Sequence, residues 1–407
     1  MSRVLAFCVS AALSVCAQTR KVTDAEVMSV HRSAILIDSH NDVTSETVRG
    51  LDIRPRREKG HTDVARLREG GVGAVFFAAY VASSYVEGNR SAFRTLEMID
   101  TIRHDIVGRS PDDFTLALTA ADIEAAHKQG RIAALIGIEG GHAIEDSLRL
   151  LRNYYALGVR YMTLTHSNTN KWADSSGDVN RTSVKHHDGL TQFGREVVAD
   201  MNQMGMMVDI SHVADKTFWD VIETSRAPVF ASHSSCRSIS NIARNMTDEM
   251  IVAAAKKGGV VQINFGCEFL SQKSADGSAW SNPALSKKLD AKLVGITDPQ
   301  ERLAARRKLM DEADLKTPRA TLADVVAHID HVAKVASVDA VGIGSDFDGV
   351  SCTPAGLDDV SKFPNLTRAL LEKGYSAADI RKIYGGNLLR MMRAVEKTAE
   401  TLAKSGR

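Results

Sequence analysis

The sequence lacks an excess of charge of either sign. Its 407 residues include 51 Lys and Arg against 50 Asp and Glu, which gives a formal net charge of +1 at pH 7 with neutral histidines. Proteins that bind nucleic acid or anionic membrane surfaces commonly carry a basic excess. The composition therefore points to neither of these partners, and it leaves small neutral or zwitterionic substrates open.

The sequence also lacks an apolar run long enough to cross a membrane. The apolar N-terminal stretch, residues 4–15, ends just before Cys16 and Ala17 and is too short to span a bilayer. A short apolar run behind a basic residue is typical of an export signal. We predict a signal peptide at residues 1–17 and a single mature domain at residues 18–407, exported to a periplasm or secreted. The alternative is a lipoprotein, which would be attached to the membrane through Cys16.

Cysteine is scarce, with five in the whole sequence. After cleavage behind Ala17, Cys236, Cys267 and Cys352 remain. Their odd number and irregular spacing do not resemble a cysteine metal site. We interpret all three as packing residues, and one disulfide is the alternative.

Short apolar segments alternate with segments of helical periodicity over most of the chain. Helical crossovers force parallel pairing of the strands they join, and eight such units close into a (β/α)8 TIM barrel. An open, doubly wound parallel sheet is the alternative. The eight predicted strands are residues 34–42, 73–81, 132–142, 160–166, 206–212, 229–233, 260–265 and 341–345, with a small extra strand at 115–119.

Residues 271–318, between the last two predicted strands, are the least regular part of the sequence and include a charged run. We interpret them as helices inserted over the C-terminal mouth of the barrel. The alternative is a solvated helical face without a function.

Chemically active side chains follow the apolar part of six of the eight predicted strands. The C-terminal ends of barrel strands converge on one mouth, where active sites of this fold lie. Any one of these residues alone would more often be a hydrogen-bonded structural residue. Their shared position favours a common site. They are His40, Asp42, Glu139, His166, His212, His233 and Asp346.

Imidazoles and carboxylates are typical zinc ligands. His40 and Asp42 lie two residues apart and therefore on one face of a strand, so we assign them to one ion. His212 and His233 are assigned to a second ion, and the two oxygens of Glu139 could bridge the pair. Two ions held in this way lower the pKa of a shared water. The predicted cofactor is two Zn²⁺ per chain, and the predicted reaction is hydrolysis by a metal-bridging hydroxide, with Glu139 part of the catalytic centre.

Three further residues are predicted to act on the substrate. Asp346 is the predicted acid and base that carries a proton to the departing amine, with Asp348 on the same face as the second choice. His166 fits a donor to the developing oxyanion. Arg244, in the loop after the strand of His233, could hold a substrate carboxylate in a bidentate grip.

The motifs around these residues resemble one known family. They are DSHND, IEGGH, LTHSNTNKWAD, DISH, ASHSS, and GIGSDFDG followed by NLLR, in that order over about residues 35–395. They are similar to those of the membrane (renal) dipeptidase family, peptidase family M19 of the amidohydrolase superfamily. The resemblance implies a binuclear zinc barrel that cleaves dipeptides, including those with a D residue on the C-terminal side, and often a homodimer.

The resemblance also implies roles for individual residues. By motif position, His40 and Asp42 look like ligands of one zinc, and Glu139 looks like the bridge. The remaining correspondences are His212 and His233 as ligands of the other zinc, His166 and Arg244 as the substrate-binding pair, and Asp346 as the acid and base.

The sequence departs from the animal enzymes of the family at two places. Asn168 stands where they carry a cysteine engaged in a disulfide, and residues 266–269 replace a loop that contains tyrosine in those enzymes. The second departure leaves the preferred substrate side chains open.

The sequence is also compatible with two other functions. One is an amide hydrolase of the same superfamily that acts on an N-acyl amino acid, a cyclic amide or a β-lactam. The other is an exported binding protein without turnover. Asp346 argues against the second, because a binding protein has no use for a proton carrier.

Overall fold

The computed structural model describes residues 21–296, 299–314 and 316–405. The predicted signal peptide and Cys16 lie outside these residues. The strands are β1 Leu36–Asn41, β2 Val72–Tyr80, β3 Phe114–Leu116, β4 Ile132–Glu139, β5 Val159–Thr163, β6 Met207–Asp209, β7 Val229–Ser234, β8 Val260–Ile263 and β9 Val341–Ile343.

In the described residues, α-helices precede, join and follow the strands. They are α1 Asp24–Arg32, α2 Thr44–Thr47, α3 Val64–Glu69, α4 Ser91–Asp100, α5 Ala120–Lys128, α6 Leu148–Ala156, α7 Gln192–Met204, α8 Asp215–Thr224, α9 Asp248–Lys256, α10 Cys267–Leu270, α11 Gln272–Gly277, α12 Pro283–Ala291, α13 Pro299–Asp314, α14 Leu322–Val335, α15 Phe363–Lys373, α16 Ala377–Arg381 and α17 Asn387–Lys404. A π-helix, Thr101–Gly108, continues α4, and a second, Lys382–Gly386, joins α16 to α17.

Eight of the strands form a parallel barrel. They pair in the order β1, β2, β4, β5, β6, β7, β8, β9, while β3 adds to the first half of β4. The ring closes where the Asp346 amide donates to the His40 carbonyl at 3.1 Å and the Asp42 amide donates to the Phe347 carbonyl at 2.9 Å. The predicted (β/α)8 barrel is confirmed, with all eight predicted strands in place.

The barrel interior is filled by large side chains. The ring of Tyr161 on β5 lies 5.3 Å from Phe76 and 5.4 Å from Phe230, measured between ring centroids. Gly137 on β4 makes room for this ring, since a Cβ atom there would lie 1.9 Å from Tyr161 Cζ. Strands that are buried on both faces explain the continuous apolar runs in the sequence.

Helix starts are fixed by local side-chain caps. Thr119, Thr321 and Ser376 each form a capping box with the aspartate three residues later. Each box satisfies backbone N–H groups that have no partner within the first turn. No helix in the described ranges is both long enough and apolar enough to cross a bilayer.

The region 271–318 is helical, as predicted, in the parts that the structure describes. Helices α11, α12 and α13 follow β8 and α10 in the chain. Ala279, Leu289 and Met310 form a small apolar cluster that is separate from the main core. The Ser274 hydroxyl donates to the Pro318 carbonyl at 2.6 Å, which joins the beginning of the region to its end. Its position over the mouth stays a prediction.

The interpretation of all three remaining cysteines as packing residues was wrong. Cys267 and Cys352 form a disulfide with a Cα–Cα distance of 5.5 Å, while Cys236 is free and buried. The two partners are 85 residues apart in sequence, but they follow β8 and β9, which are neighbours in the barrel. The disulfide therefore connects two loops at the C-terminal mouth.

We expect the disulfide to stabilise the fold. Closing an 85-residue loop restricts the unfolded chain, which corresponds to about 4–5 kcal/mol in the chain-entropy treatment. Replacing both partners, Cys267→Ser with Cys352→Ser, should lower the free energy of unfolding by about 2–5 kcal/mol in denaturant titrations. A reductant should lower the value for the original protein and leave that of the double variant unchanged. Equal denaturation midpoints for both proteins would contradict this expectation.

Candidate metal centre

The structure brings the predicted metal ligands together at the mouth. His40 and His233 lie within β1 and β7, Glu139 is the last residue of β4, and Asp42 and His212 follow β1 and β6. All five are buried. Because each side chain is fixed at or near the end of a barrel strand, the strands themselves set the spacing of the site.

One carboxylate oxygen lies at the centre of this group. Oε1 of Glu139 is 3.0 Å from His212 Nε2, 3.2 Å from His233 Nε2, 3.6 Å from His40 Nε2 and 3.8 Å from His166 Nε2. Four imidazoles from four strands or strand ends therefore face a single oxygen. Sets drawn from these residues, with Asp42 and Asp346, have donor atoms close enough together to hold a metal ion.

His40 is oriented by a phenol. Its Nδ1 lies 2.7 Å from the Tyr161 hydroxyl, which donates to the Ser39 carbonyl at 3.2 Å and so accepts from Nδ1. The opposite nitrogen, Nε2, is buried without a hydrogen-bond partner and lies 3.2 Å from Asp42 Oδ2. This nitrogen thus faces two carboxylates, those of Asp42 and Glu139, in the position expected of a metal ligand.

The pKa of His40 also indicates that a positive charge is favoured beside these two carboxylates. Burial lowers it, but the carboxylates of Asp42 and Glu139 outweigh burial and raise the pKa to about 10. A positive charge between Nε2 and these carboxylates is therefore stabilised, and a divalent cation provides it as well as a proton does.

The second pair of imidazoles supports the same conclusion. His212 Nε2 and His233 Nε2 lie 3.0 Å apart, and both are close to Glu139. Burial lowers the pKa of both histidines well below the ordinary value. Two neutral imidazoles whose Nε2 atoms converge on a carboxylate form a donor set that fits zinc.

Asp346 lies beside this cluster without belonging to the four-imidazole contact. Its Oδ2 accepts from the Asn264 side-chain amide at 2.8 Å. Burial raises the pKa of Asp346 to about 7, with Asp42 adding to the rise and His40 opposing it. A carboxyl group with this pKa can take up and release a proton near neutral pH.

The predicted substrate contacts, His166 and Arg244, lie beside the predicted metal ligands. His166 is the most exposed of the four imidazoles, with 21% of its side chain accessible against 10% for His212 and none for His40 and His233. Burial, together with Arg244, lowers the pKa of His166 to about 3, so it is neutral. Arg244 donates to Ser234 Oγ at 2.8 Å and to the His233 carbonyl at 3.0 Å. Both residues therefore lie next to the metal ligands.

The site contains residues that the sequence interpretation missed. Tyr80 and Asn264 lie at the ends of β2 and β8, the two strands to which no site residue had been assigned. The Tyr80 ring lies 4.8 Å from that of His166, measured between centroids.

Two further acids lie within β1 and β6, a few residues before the predicted metal ligands of these strands. Asp38 accepts from the Ser345 amide at 2.8 Å, and Asp209 accepts from the Ser232 amide at 2.8 Å. Both are buried in strands. A charge within an apolar strand, a few residues before a histidine, was a signal that could have identified both acids.

Left-handed backbone occurs at three non-glycine residues in the segments that follow β6 and β9. The φ angles are 65° at His212, 60° at Asp346 and 66° at Asp348. This conformation costs a non-glycine residue of the order of 1–3 kcal/mol, and it is concentrated at functional sites. The strain directs the side chains of His212 and Asp346 in a way that a regular strand end would not.

Comparison with known proteins gives the family. Residues 24–406 match the family model described as membrane dipeptidase, peptidase family M19. The dipeptidase verJ of Clonostachys rogersoniana is 37% identical over 387 residues, covering 91% of this chain and 87% of that protein.

Solved structures agree with this result. The probable dipeptidase PvdM of Pseudomonas aeruginosa matches with a TM-score of 0.79 and 25% identity, covering 92% of this chain and 99% of PvdM. A metallo peptidase of Rhodobacter sphaeroides, solved with a phosphinate mimic of L-Ala-D-Ala, matches in fold with a TM-score of 0.71 and 24% identity, covering 89% of this chain and 99% of that one. The resemblance found in the sequence motifs is confirmed: the chain belongs to the membrane dipeptidase family, peptidase family M19, and is a metallo-dipeptidase by family.

Proposed function

We propose that the protein is an exported dipeptidase that works with two zinc ions per chain. The observation that carries the proposal is the single oxygen, Glu139 Oε1, within 3.8 Å of the Nε2 atoms of four histidines. In a network of structural hydrogen bonds, each imidazole would instead have a partner of its own. It fits a carboxylate shared between two cations.

The ligands divide between the ions by their positions. His40 and Asp42 hold one ion, His212 and His233 hold the other, and Glu139 contributes to both. We leave His166 out of the ligand set because its ring is the most exposed of the four and lies against the Tyr80 ring, at 4.8 Å between centroids. Two zinc ions bound here would supply an activated water and polarise the scissile carbonyl.

Asp346 carries the proton in this proposal. It accepts the proton of the attacking water and delivers it to the nitrogen of the departing amino acid, so that the amine leaves neutral. The Asn264 amide holds Oδ2, which fixes the carboxylate plane. Burial raises the pKa of Asp346, which favours uptake of the proton that is then passed to the amine.

Arg244 and His166 orient the substrate. The two terminal nitrogens of Arg244 are bound by neutral acceptors, and Nε is buried without a hydrogen-bond partner, so its charge is available for a substrate carboxylate. His166, kept neutral by burial and by Arg244, donates a hydrogen bond to the carbonyl oxygen as charge develops on it.

We propose dipeptides as substrates, including those with a D residue at the C-terminal position. The motif resemblance supports this choice, and the mimic of L-Ala-D-Ala bound to the Rhodobacter sphaeroides metallo peptidase suggests a probe substrate. The family resemblance also supports a homodimer, which light scattering of the purified protein would test.

The proposed activity should depend on metal and on both ends of the substrate. We expect hydrolysis of L-Ala-L-Ala and L-Ala-D-Ala, loss of turnover after chelation, and recovery with Zn²⁺. Elemental analysis of the same sample should give about two zinc per chain. The N-acetylated dipeptide distinguishes a dipeptidase from a general amide hydrolase, and the C-terminal amide should raise KM because Arg244 loses its partner. Turnover that survives complete removal of metal would refute the proposal.

Asp346→Asn should lower kcat about 10²- to 10⁴-fold, because it removes the proton carrier and keeps the shape of the side chain. Its zinc content should stay at about two per chain. The matched control is Asp348→Asn, on the same loop, where Oδ1 accepts from the His61 amide at 2.8 Å. We expect a much smaller loss there. Loss of zinc from Asp346→Asn would show that this residue is a ligand, and a reversed order of the two variants would assign the proton carrier to Asp348.

Export is proposed from the N-terminal sequence and is supported by the disulfide between Cys267 and Cys352, since disulfides persist in oxidising compartments. The protein recovered from a periplasm or culture medium should begin at Gln18 by N-terminal sequencing. A chain that begins at a lipid-modified Cys16 would support the lipoprotein alternative. Recovery of the uncleaved chain from the cytosol would contradict both.

A further inference from the structure

His233 is held from behind by two polar side chains in series. Its Nδ1 lies 2.7 Å from Ser232 Oγ, and Ser232 Oγ lies 2.6 Å from Asp209 Oδ2. The serine proton goes to the carboxylate, which leaves the serine oxygen to accept from Nδ1–H. The Nε2 atom of His233, which faces Glu139, therefore carries the lone pair.

Asp209 is placed to set the direction of these two hydrogen bonds. Its Oδ1 accepts from the backbone amides of Ser211 at 3.0 Å and Ser232 at 2.8 Å, and its Oδ2 accepts from the Ser232 and Thr163 hydroxyls. The residue is fully buried. With four donors around it from three neighbouring strands or strand ends, the carboxylate acts as an acceptor throughout and is held immobile.

The other metal-ligand imidazoles are held differently. His40 has a neutral phenol, that of Tyr161, behind its Nδ1. His212 has no hydrogen-bond partner on Nδ1. A carboxylate behind a ligating imidazole, acting through a hydroxyl, makes the ring a stronger donor than a phenol does and fixes the ring orientation.

We propose that Asp209 and Ser232 are positioning residues for the second metal subsite: they fix the Nδ1–H tautomer of His233 and strengthen the bond of its Nε2 to the cation. The inference rests on the proposed function, in which His233 is a metal ligand. Removing such a partner of a ligating histidine commonly weakens metal affinity about 10- to 100-fold.

Ser232→Ala tests the inference, because it removes the acceptor of His233 Nδ1–H. The variant leaves Glu139 and the imidazoles of His212 and His233 in place. Thr163→Val is the matched control. Thr163 donates to the same oxygen of Asp209, so this variant disturbs the buried carboxylate without a contact to His233. Asp209→Asn is a second test variant, acting one step further away, should Ser232→Ala fail to fold.

Three measurements separate positioning from general stability. Competition with a chromophoric chelator gives the dissociation constants of the two Zn²⁺ ions. The visible spectrum of the Co²⁺-substituted protein reports the geometry of the ligands. Denaturation of the metal-free protein reports its stability. We expect Ser232→Ala to weaken one of the two ions about 10- to 100-fold and to change the Co²⁺ spectrum. The control should keep both affinities within a few-fold even where its metal-free stability falls.

The outcomes are distinguishable. If the original protein binds two ions tightly and Ser232→Ala does the same, the inference is overturned and the proposed function stands. Equal weakening in Ser232→Ala and Thr163→Val also overturns it, because the effect would then be general destabilisation. If the original protein binds no divalent ion, the proposed function itself fails, and the inference fails with it.

Discussion

The organisation of the mouth depends on one buried carboxylate oxygen. In a medium of low dielectric, Glu139 is costly to ionise, and burial raises its pKa well above the usual value. The charged form of His40 and the nearby Arg244 offset part of this cost. His212 and His233 do not, because burial drives both towards their neutral forms. Cations among these groups would offset the remaining cost, and the donor atoms lie close enough together to hold a metal ion.

The barrel is what allows such an arrangement to persist. The left-handed backbone at His212 and Asp346 and the acids Asp38 and Asp209 buried beneath the ligands all oppose folding at this end of the molecule. They are compensated locally, since Asp209 has four hydrogen-bond donors and the Ser345 hydroxyl and amide both donate to Asp38. They are compensated globally by a core of strands that are buried on both faces.

The order and position of the strands were predictable because each is a continuous apolar run that ends abruptly. The same abrupt endings identified His40, Glu139, His212 and His233, since strand ends converge whatever the details of packing. What the sequence did not reveal depends on the stagger between strands. Tyr161 reaches His40 across the barrel interior from β5 to β1.

The disulfide was missed for a related reason. Cys267 and Cys352 have no informative spacing, and they become neighbours because β8 and β9 pair. Contacts of this kind arise from the closed ring and not from any local pattern. Local sequence therefore identified which residues reach the mouth, whereas the network that orients them depends on which strands become neighbours in the closed ring.

The two halves of the site are supported by different kinds of structure. The predicted metal ligands lie on or next to strands. Arg244 lies on a loop beside α10, with its guanidinium carbon 5.5 Å from the Phe269 ring centroid. That loop is held by the Asn245 side-chain amide, which donates to the Phe269 carbonyl at 2.9 Å, and α10 is held by the disulfide at Cys267.

In the proposed function, the chemistry therefore depends on the rigid barrel, and recognition of the substrate carboxylate depends on a cross-linked loop. Residues 266–269 are also where the motif resemblance predicts a departure from the animal enzymes of the family. Because a loop can change its side chains without moving the strand ends, substrate preference can vary at this position while the metal centre remains the same.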